Sequence, residues 1–377
     1  MNATEFAEAL DRPLAETKPV EVQKLGYVRE PGIIATSYSK FNTLYSCPRK
    51  FQLGEMEDNR FKEPSVYTAF GHAVGAGIQI YLQYAPQPLP KVELREFSFD
   101  VFAAPEEDAG IHVSEEAWKI ANDKAMQRAV FATMQAWSHP NLWEVYDKAK
   151  DCTVEDSIWA VRMFAQHVGP DILQEWELAW VETRHGRKPA IELNFYVGIY
   201  ERYSFQGHID IVLRHRKTGK LAIWEIKTGG KEKLREDYEN SYQTLGYNCI
   251  LQAIGEITES QYSYEVHYIC YHTKERTYKV MDFVKPASIR AEFIANLLLD
   301  INQIDVYIEH NLFPKRGNSC RSFSNTCRFY GTCDLVTRAN EFDDSMYKTM
   351  ARDECDFILD IDDLLRLQEV AITFEEQ

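Results

Sequence analysis

Gly207-His208-Ile209-Asp210-Ile211-Val212-Leu213-Arg214, a turn at Arg216-Lys217-Thr218-Gly219-Lys220, and then Leu221-Ala222-Ile223-Trp224-Glu225-Ile226-Lys227-Thr228 decide how this chain reads. In the first run Ile209, Ile211 and Leu213 alternate with Asp210, Val212 and Arg214, the period of a strand. The second run is apolar enough to be a strand buried on both faces. Side chains two apart on a strand share a face, so Glu225 and Lys227 point the same way. If Asp210 faces them across the hairpin, two carboxylates and an ammonium converge.

Glu-x-Lys alone also describes a solvated surface pair. The flanking Ile223, Trp224 and Ile226 argue otherwise, because Lys and Glu are rarely buried unless paired or functional. Two carboxylates suit a hard divalent cation, Mg²⁺ or Mn²⁺, with positions left for water and a phosphate oxygen. Lys227 could orient or deprotonate the attacking water, or stabilise charge developing on phosphorus. Downstream, residues 231 to about 254 read as one helix, on which Gln243 and Tyr247 stand four apart on one face. Upstream, Ser37-Tyr38-Ser39-Lys40-Phe41 leads into Cys47-Pro48-Arg49-Lys50-Phe51, and Gly71-His72 falls within a helix read over 65–84.

In this order the elements resemble the RecB-type branch of the PD-(D/E)XK nuclease superfamily, a branch that includes iron-sulfur exonucleases of CRISPR adaptation and phage recombination nucleases. The resemblance spans about residues 36–335. It implies an α/β, restriction-endonuclease-like core sheet flanked by helices, with Asp210 and Glu225 as metal ligands, Lys227 as catalytic lysine, and Gln243 and Tyr247 on the substrate side. One element departs from the pattern. The family's first motif, Gly-x-x-x-His, would put its histidine at position 75, which is Gly75 here. His72, nearly one turn earlier, is the candidate imidazole ligand.

Eight cysteines occur, and three cluster as Cys320, Cys327 and Cys333. Nothing in the sequence suggests secretion or a membrane span, so reduced thiols in the cytoplasm (of a host, if phage-encoded) are expected to bind a metal or cluster rather than form disulfides. Three thiolates leave one ligand missing. The resemblance supplies it, implying a [4Fe-4S] cluster on Cys47, Cys320, Cys327 and Cys333, with zinc as the alternative. Cys152, Cys249, Cys270 and Cys355 read as small buried hydrophobes.

The expected organisation is an extension over 1–35, a helical region over 36–185 with further helices at about 114–138 and 154–168, a nuclease core over 186–310, a cysteine segment over 311–340 and an acidic tail over 341–377. Strands are expected near 190–199, 203–215, 221–228, 263–273 and 276–284, before a long helix from Pro286 to about Ile308. In the helix over 65–84, Val74, Ile78 and Leu82 form an apolar stripe, and Gly71 and Gly75 are expected to let another element approach.

The net charge of −16 speaks against a nucleic-acid partner. Its distribution weakens that objection, since residues 341–377 hold twelve acids against three bases. Arg214, Arg216, Lys217, Lys220, Lys227, Lys231, Lys233 and Arg235 gather in the sequence around the proposed site, and local field decides where a phosphate docks. The tail, with Phe357, Ile358, Leu359, Ile361, Leu364 and Leu365 among its acids, reads as a partner-binding helix, a DNA-mimicking cover, or an amphipathic helix packed on its own domain. No phosphate-cradling Gly-x-x-x-x-Gly-Lys-[Ser/Thr] occurs, so unwinding a duplex would fall to a helicase or recombination partner. The expectation is a metal-dependent exonuclease on single-stranded DNA or DNA ends, in recombination, repair or phage DNA processing. Its rivals are a nuclease-dead subunit of the same fold that binds DNA or a helicase, and a zinc-binding interaction protein.

Overall fold

The computed structural model describes residues 33–56, 66–86, 115–137, 151–230, 236–239, 241–310, 312–322, 325–330, 333 and 352–367. The chain divides into two compact units. One comprises Met1–Ile34, Ser39–Phe61 and Asp305–Lys348; the other comprises Ala35–Tyr38, Lys62–Ile304 and Thr349–Gln377.

The second unit is built on a mixed sheet. In chain order its strands are β1 (Ile34–Thr36), β2 (Trp176–Leu178), a separate hairpin of β3 (Trp180–Thr183) and β4 (Gly186–Pro189), then β5 (Ile191–Ile199), β6 (Tyr203–His215), β7 (Leu221–Gly229), β8 (Tyr262–His272) and β9 (Thr277–Val284). A two-stranded ladder of β10 (Arg321–Ser322) and β11 (Asn325–Thr326) belongs to the first unit, and β12 (Phe357–Asp360) returns to the main sheet. The sheet order is β12-β5-β6-β7-β8-β9, with β1 and β2 also paired to β6. Strands β5, β6 and β7 form an antiparallel meander, whereas β7 and β8 run parallel. A parallel neighbour requires a crossover. The helix over Tyr242–Ile257 supplies it.

The helices that carry the argument are α1 (Tyr38–Ser46), α2 (Val66–Tyr84), α3 (Glu115–Ala136), α4 (Val154–Met163), α5 (Tyr242–Ile257) and α6 (Ala287–Glu309). Strand alternation sorts them onto two faces. Ile211, Leu213, Ala222 and Trp224 meet Phe70, Val74 and Ile78 of α2 and Ala160 and Val161 of α4 in one continuous core. Each such aliphatic side chain taken from water contributes about 1.5–3 kcal/mol. Helix α5 lies on the opposite face, where Tyr268 donates to Thr244 at 2.8 Å and Tyr247 meets the Phe195 ring edge-on at 5.6 Å. The start of α4 is fixed by a capping box between Thr153 and Asp156, the latter also paired with Arg276 at 2.6 Å.

Strands β5 to β9 and the long helices fall where the sequence pattern places them, whereas β1 to β4 lie outside the expected strands. Three further details differ. The helix expected from 231 is a short turn at Glu236–Glu239 and then α5, because Ser241 adopts an extended conformation between them; residues 231–235 lie outside the described residues. Close helix approach on α2 occurs at Gly77, where a Cβ would stand 2.3 Å from Thr133 Oγ1, and not at Gly75, which faces open space. Within the tail, Phe357, Leu359, Ile361 and Leu364 are buried, and residues 357–360 form the edge strand β12, parallel to β5. This segment of the tail packs on its own domain.

Candidate active site

The functional side chains stand in the second unit, where β5, β6 and β7 pass side by side. Ile211 pairs with Trp224 and Val212 with Ile223, so continuing the register sets Asp210 across from Glu225. Past Ile211 the two strands part, and the Asp210 carboxylate accepts the Ile226 N–H at 3.0 Å. On β7, Glu225 is fully buried and takes a hydrogen bond from Lys227 at 2.8 Å. Lys227 also donates to Gln243 at 3.2 Å, and Gln243 donates to the Tyr247 hydroxyl at 3.1 Å. The first turn of α5 is thereby tied to the Glu-x-Lys strand, and all five residues read as catalytic in the sequence come together.

Electrostatics follows from burial. Desolvation pushes the Glu225 carboxyl up to about 7, with Lys227 opposing and Asp210 adding to the rise. Asp210 is raised for the same reason, with Lys227 and the Ile226 N–H working against it. Burial would draw the Lys227 ammonium down, but Glu225 and Asp210 reverse the sign and hold its pKa above the ordinary lysine value. Burial likewise raises Tyr247. One oxygen of Glu225, Oε1, is buried with no hydrogen-bond partner. A buried, unpaired carboxylate oxygen is costly, and a cation satisfies it. The donor set fits a hard oxygen-ligated ion such as Mg²⁺ or Mn²⁺.

A cavity of about 560 Å³ opens beside this pair, lined by His72, Gly75, Gln79, Glu192, Asp210 and Lys227 among others. His72 is solvent-exposed on α2 and close enough to Asp210 and Glu192 to favour their ionised forms. Glu192 and Gln79 were not candidates in the sequence reading. Glu192 lies opposite Asp210 in the register of β5 and β6, and its carboxyl is raised by desolvation in the cavity and by Asp210, while the Gln79 amide lowers it. Counting back equally from the Ile199–Tyr203 pair at the hairpin would have found it, since the ladder continues through Leu193↔Ile209.

Not every expected group is at the site. Arg216 lies at the β6–β7 turn, six residues beyond Asp210 and roughly 20 Å along a strand; it bonds to the carbonyls of Leu173 and Trp176 and pairs with Glu177. Lys217 and Lys220 share that turn, and Lys231, Lys233 and Arg235 lie outside the described residues. Of the gathered cations, Lys227 reaches the acids.

In the first unit, the segment after Ser46 is joined to the cysteine segment. Arg49 donates to the Cys333 carbonyl at 3.1 and 3.3 Å, Ser319 donates to the Ser46 carbonyl, and the Cys327 N–H bonds the Cys320 carbonyl at 2.8 Å. Cys47 is buried, whereas Cys320, Cys327 and Cys333 are half-exposed. Among the described residues no three His, Cys, Asp or Glu side chains are gathered closely enough to hold a metal between them. No described helix is long and apolar enough to cross a membrane.

A fold of this kind, with an Asp strand, a Glu-x-Lys strand and a Gln-x-x-x-Tyr helix brought together by hydrogen bonds, defines a class of phosphodiester-cleaving proteins. The chain belongs to the PD-(D/E)XK nuclease superfamily, whose profile matches residues 35–334. No curated protein matches it.

Proposed function

We propose that the protein is a metal-dependent deoxyribonuclease of the RecB-type branch, acting as an exonuclease on single-stranded DNA or DNA ends in recombination, repair or phage DNA processing. The observation that carries this reading is the pairing of buried Glu225 with half-buried Lys227 on β7, set against Asp210 and joined through Gln243 to Tyr247. Asp210 and Glu225 would hold a Mg²⁺ or Mn²⁺ ion, with His72 as an added ligand from α2. Such an ion, when bound, supplies Lewis acidity to a phosphodiester and a more acidic water. Lys227 keeps its proton in this setting, which suits it to stabilise negative charge on the phosphoryl oxygens and to orient a water held by Gln243. Tyr247 stays protonated and fixes the Gln243 amide.

Cys47, Cys320, Cys327 and Cys333 are proposed to hold a [4Fe-4S] cluster, zinc being the alternative. The bonds from Arg49 to the Cys333 carbonyl support this, since they bring the turn after Cys47 beside the last cysteine. A helicase or recombination protein is proposed to deliver the DNA.

Protein purified without air and assayed on end-labelled single- and double-stranded DNA, with Mg²⁺, Mn²⁺ or EDTA, tests the activity. Metal-dependent release of nucleotides from ends supports it. A second reading, a nuclease-inactive subunit that binds DNA or a helicase, is favoured by Gly75 standing where the first-motif histidine is expected. DNA binding without cleavage in either metal would establish that reading instead.

A further inference from the structure

Gln79 is buried on α2, yet its amide is not a packing group. Its Nε2 donates to the Glu192 carboxylate at 2.6 Å and lies 3.3 Å from the Asp210 carbonyl oxygen. A primary amide carries two N–H donors, so both bonds can be made at once. One side chain from the helix thus joins two adjacent strands at the level of the acidic row.

The backbone marks the same place. Glu192 has a φ of +47°, a left-handed conformation that a glutamate keeps only when its surroundings hold it there. Its carboxylate faces a cavity that also contains Asp210. Gly75 lies one turn before Gln79 on the same side of α2, and a Cβ there would meet nothing within 4 Å. The helix therefore reaches the acids through Gln79 and leaves position 75 vacant.

We propose that Gln79 is a positioning residue of the metal centre: by pinning the Glu192 side chain and the Asp210 backbone together, it sets the Asp210 carboxylate against Glu225. Glu192 serves as the anchor of this clamp through the carboxylate oxygen that takes the Gln79 N–H. The inference rests on the metal-centre reading given above. Supporting hydrogen bonds around a metal site change its affinity by roughly 10–100-fold, and the clamp belongs to that class.

The test is Mn²⁺ affinity without DNA, read by the signal of free Mn²⁺ in electron paramagnetic resonance, with the thermal midpoint recorded for each protein. Gln79→Met removes both donors at nearly constant shape, and Glu192→Ala removes the anchor at the cavity mouth. Each is expected to weaken Mn²⁺ binding on the order of 10-fold. Glu192→Gln still offers an amide oxygen to Gln79 and should recover most of that loss. Wild-type affinity in Gln79→Met or in Glu192→Ala overturns the clamp, as does a Glu192→Gln protein no better than Glu192→Ala, since the charge itself would then be the ligand. Asp210→Asn separates the two levels. If it too binds Mn²⁺ normally, the metal-centre reading fails and the clamp with it; if it loses Mn²⁺ while Gln79→Met does not, only the clamp fails.

Discussion

The two units of this chain are held together by different means. In the sheet unit, Ile209, Ile211, Leu213, Ala222, Ile223 and Trp224 are all at most 2% exposed, and they pack between helices on both faces. Among the described residues, the cysteine unit relies on fewer buried apolar side chains, Phe51, Leu53, Phe313 and Phe329 among them, and on bonds such as those of Arg49 and Ser319 to main-chain carbonyls. Apolar burial is present whether or not a ligand is bound. Thiolate ligands add folding free energy only when the metal or cluster is in place. The polar site on the sheet should therefore be removable without unfolding the protein, whereas the cysteine unit should respond to its ligands with a change in stability.

The sharpest break in that contrast is expected at β7. Glu225→Gln or Lys227→Ala should lower cleavage on the order of 10²–10³-fold or more, while the far-ultraviolet circular dichroism stays that of the wild type. Asp210→Asn should do the same. Near-normal cleavage by Glu225→Gln would remove the assignment of this centre.

Cysteine substitutions should behave in the opposite way. Anaerobic protein is expected to be brown and to carry about four irons per chain. Cys320→Ala or Cys327→Ala should bleach it and lower its thermal midpoint more than Cys152→Ala does. Colourless protein with stoichiometric zinc would exchange the cluster for the alternative metal, and equal midpoints for all three variants would remove the ligand role altogether.

A smaller effect is expected from His72, which stands at the cavity on an exposed turn of α2. Imidazole suits Mn²⁺ better than Mg²⁺, so His72→Ala should reduce the ratio of Mn²⁺- to Mg²⁺-supported cleavage by a few-fold, on the order of 2–5. An unchanged ratio assigns His72 to the surface.

The smallest effect sits within the sheet unit, away from the acids. Lys285 is buried, donates to the carbonyls of Tyr238 and Glu239, and is pushed down by burial to about 8. An unfolded lysine titrates near about 10.4. Between those values the unfolded chain binds more protons than the folded one, so stability contributed at this site rises with pH from about 8 to about 10.4 and is lost as pH falls through 8. The wild-type midpoint should therefore gain on that of Lys285→Met as pH is raised from 8 to 10. A constant difference would mean that Lys285 keeps its ordinary pKa.

Much of this is legible in the sequence. The alternation around Asp210 and the apolar flanks of Glu225 and Lys227 are local signals, and the strands β5 to β9 fall at the residues that carry them. Gln243 and Tyr247 were readable because a four-residue spacing on a helix is also local. Glu192 is within reach of register counting from the β5–β6 hairpin, but Gln79 is not, since its pairing with Glu192 spans 113 residues and becomes visible only when the face of α2 is known as well. The break at Ser241 is a helix start at a common N-cap residue, masked in the sequence by the Glu, Lys, Leu and Arg before it, which favour helix. Strand β12 escaped for a further reason: four residues among acids carry too short an alternation to separate a strand from a helix turn. The basic residues of the β6–β7 turn misled because closeness in sequence along a hairpin becomes distance along its strands.

Strand β12 also bears on how the sheet is assembled. It lies parallel to β5, with Phe357 opposite Phe195 and Leu359 opposite Val197, and the Asp356 carboxylate receives the Asn194 N–H and pairs with Lys188. The meander of β5, β6 and β7 can form from neighbouring residues soon after they are synthesised, whereas the outer edge of β5 waits for residues that follow much later. Contacts of such long sequence separation form late because the loop must be closed before they are rewarded. Until then β5 presents unpaired backbone groups of the kind that recruit a foreign strand. The nascent chain is thus exposed to mispairing at one edge, and its vulnerability ends when the acidic tail arrives.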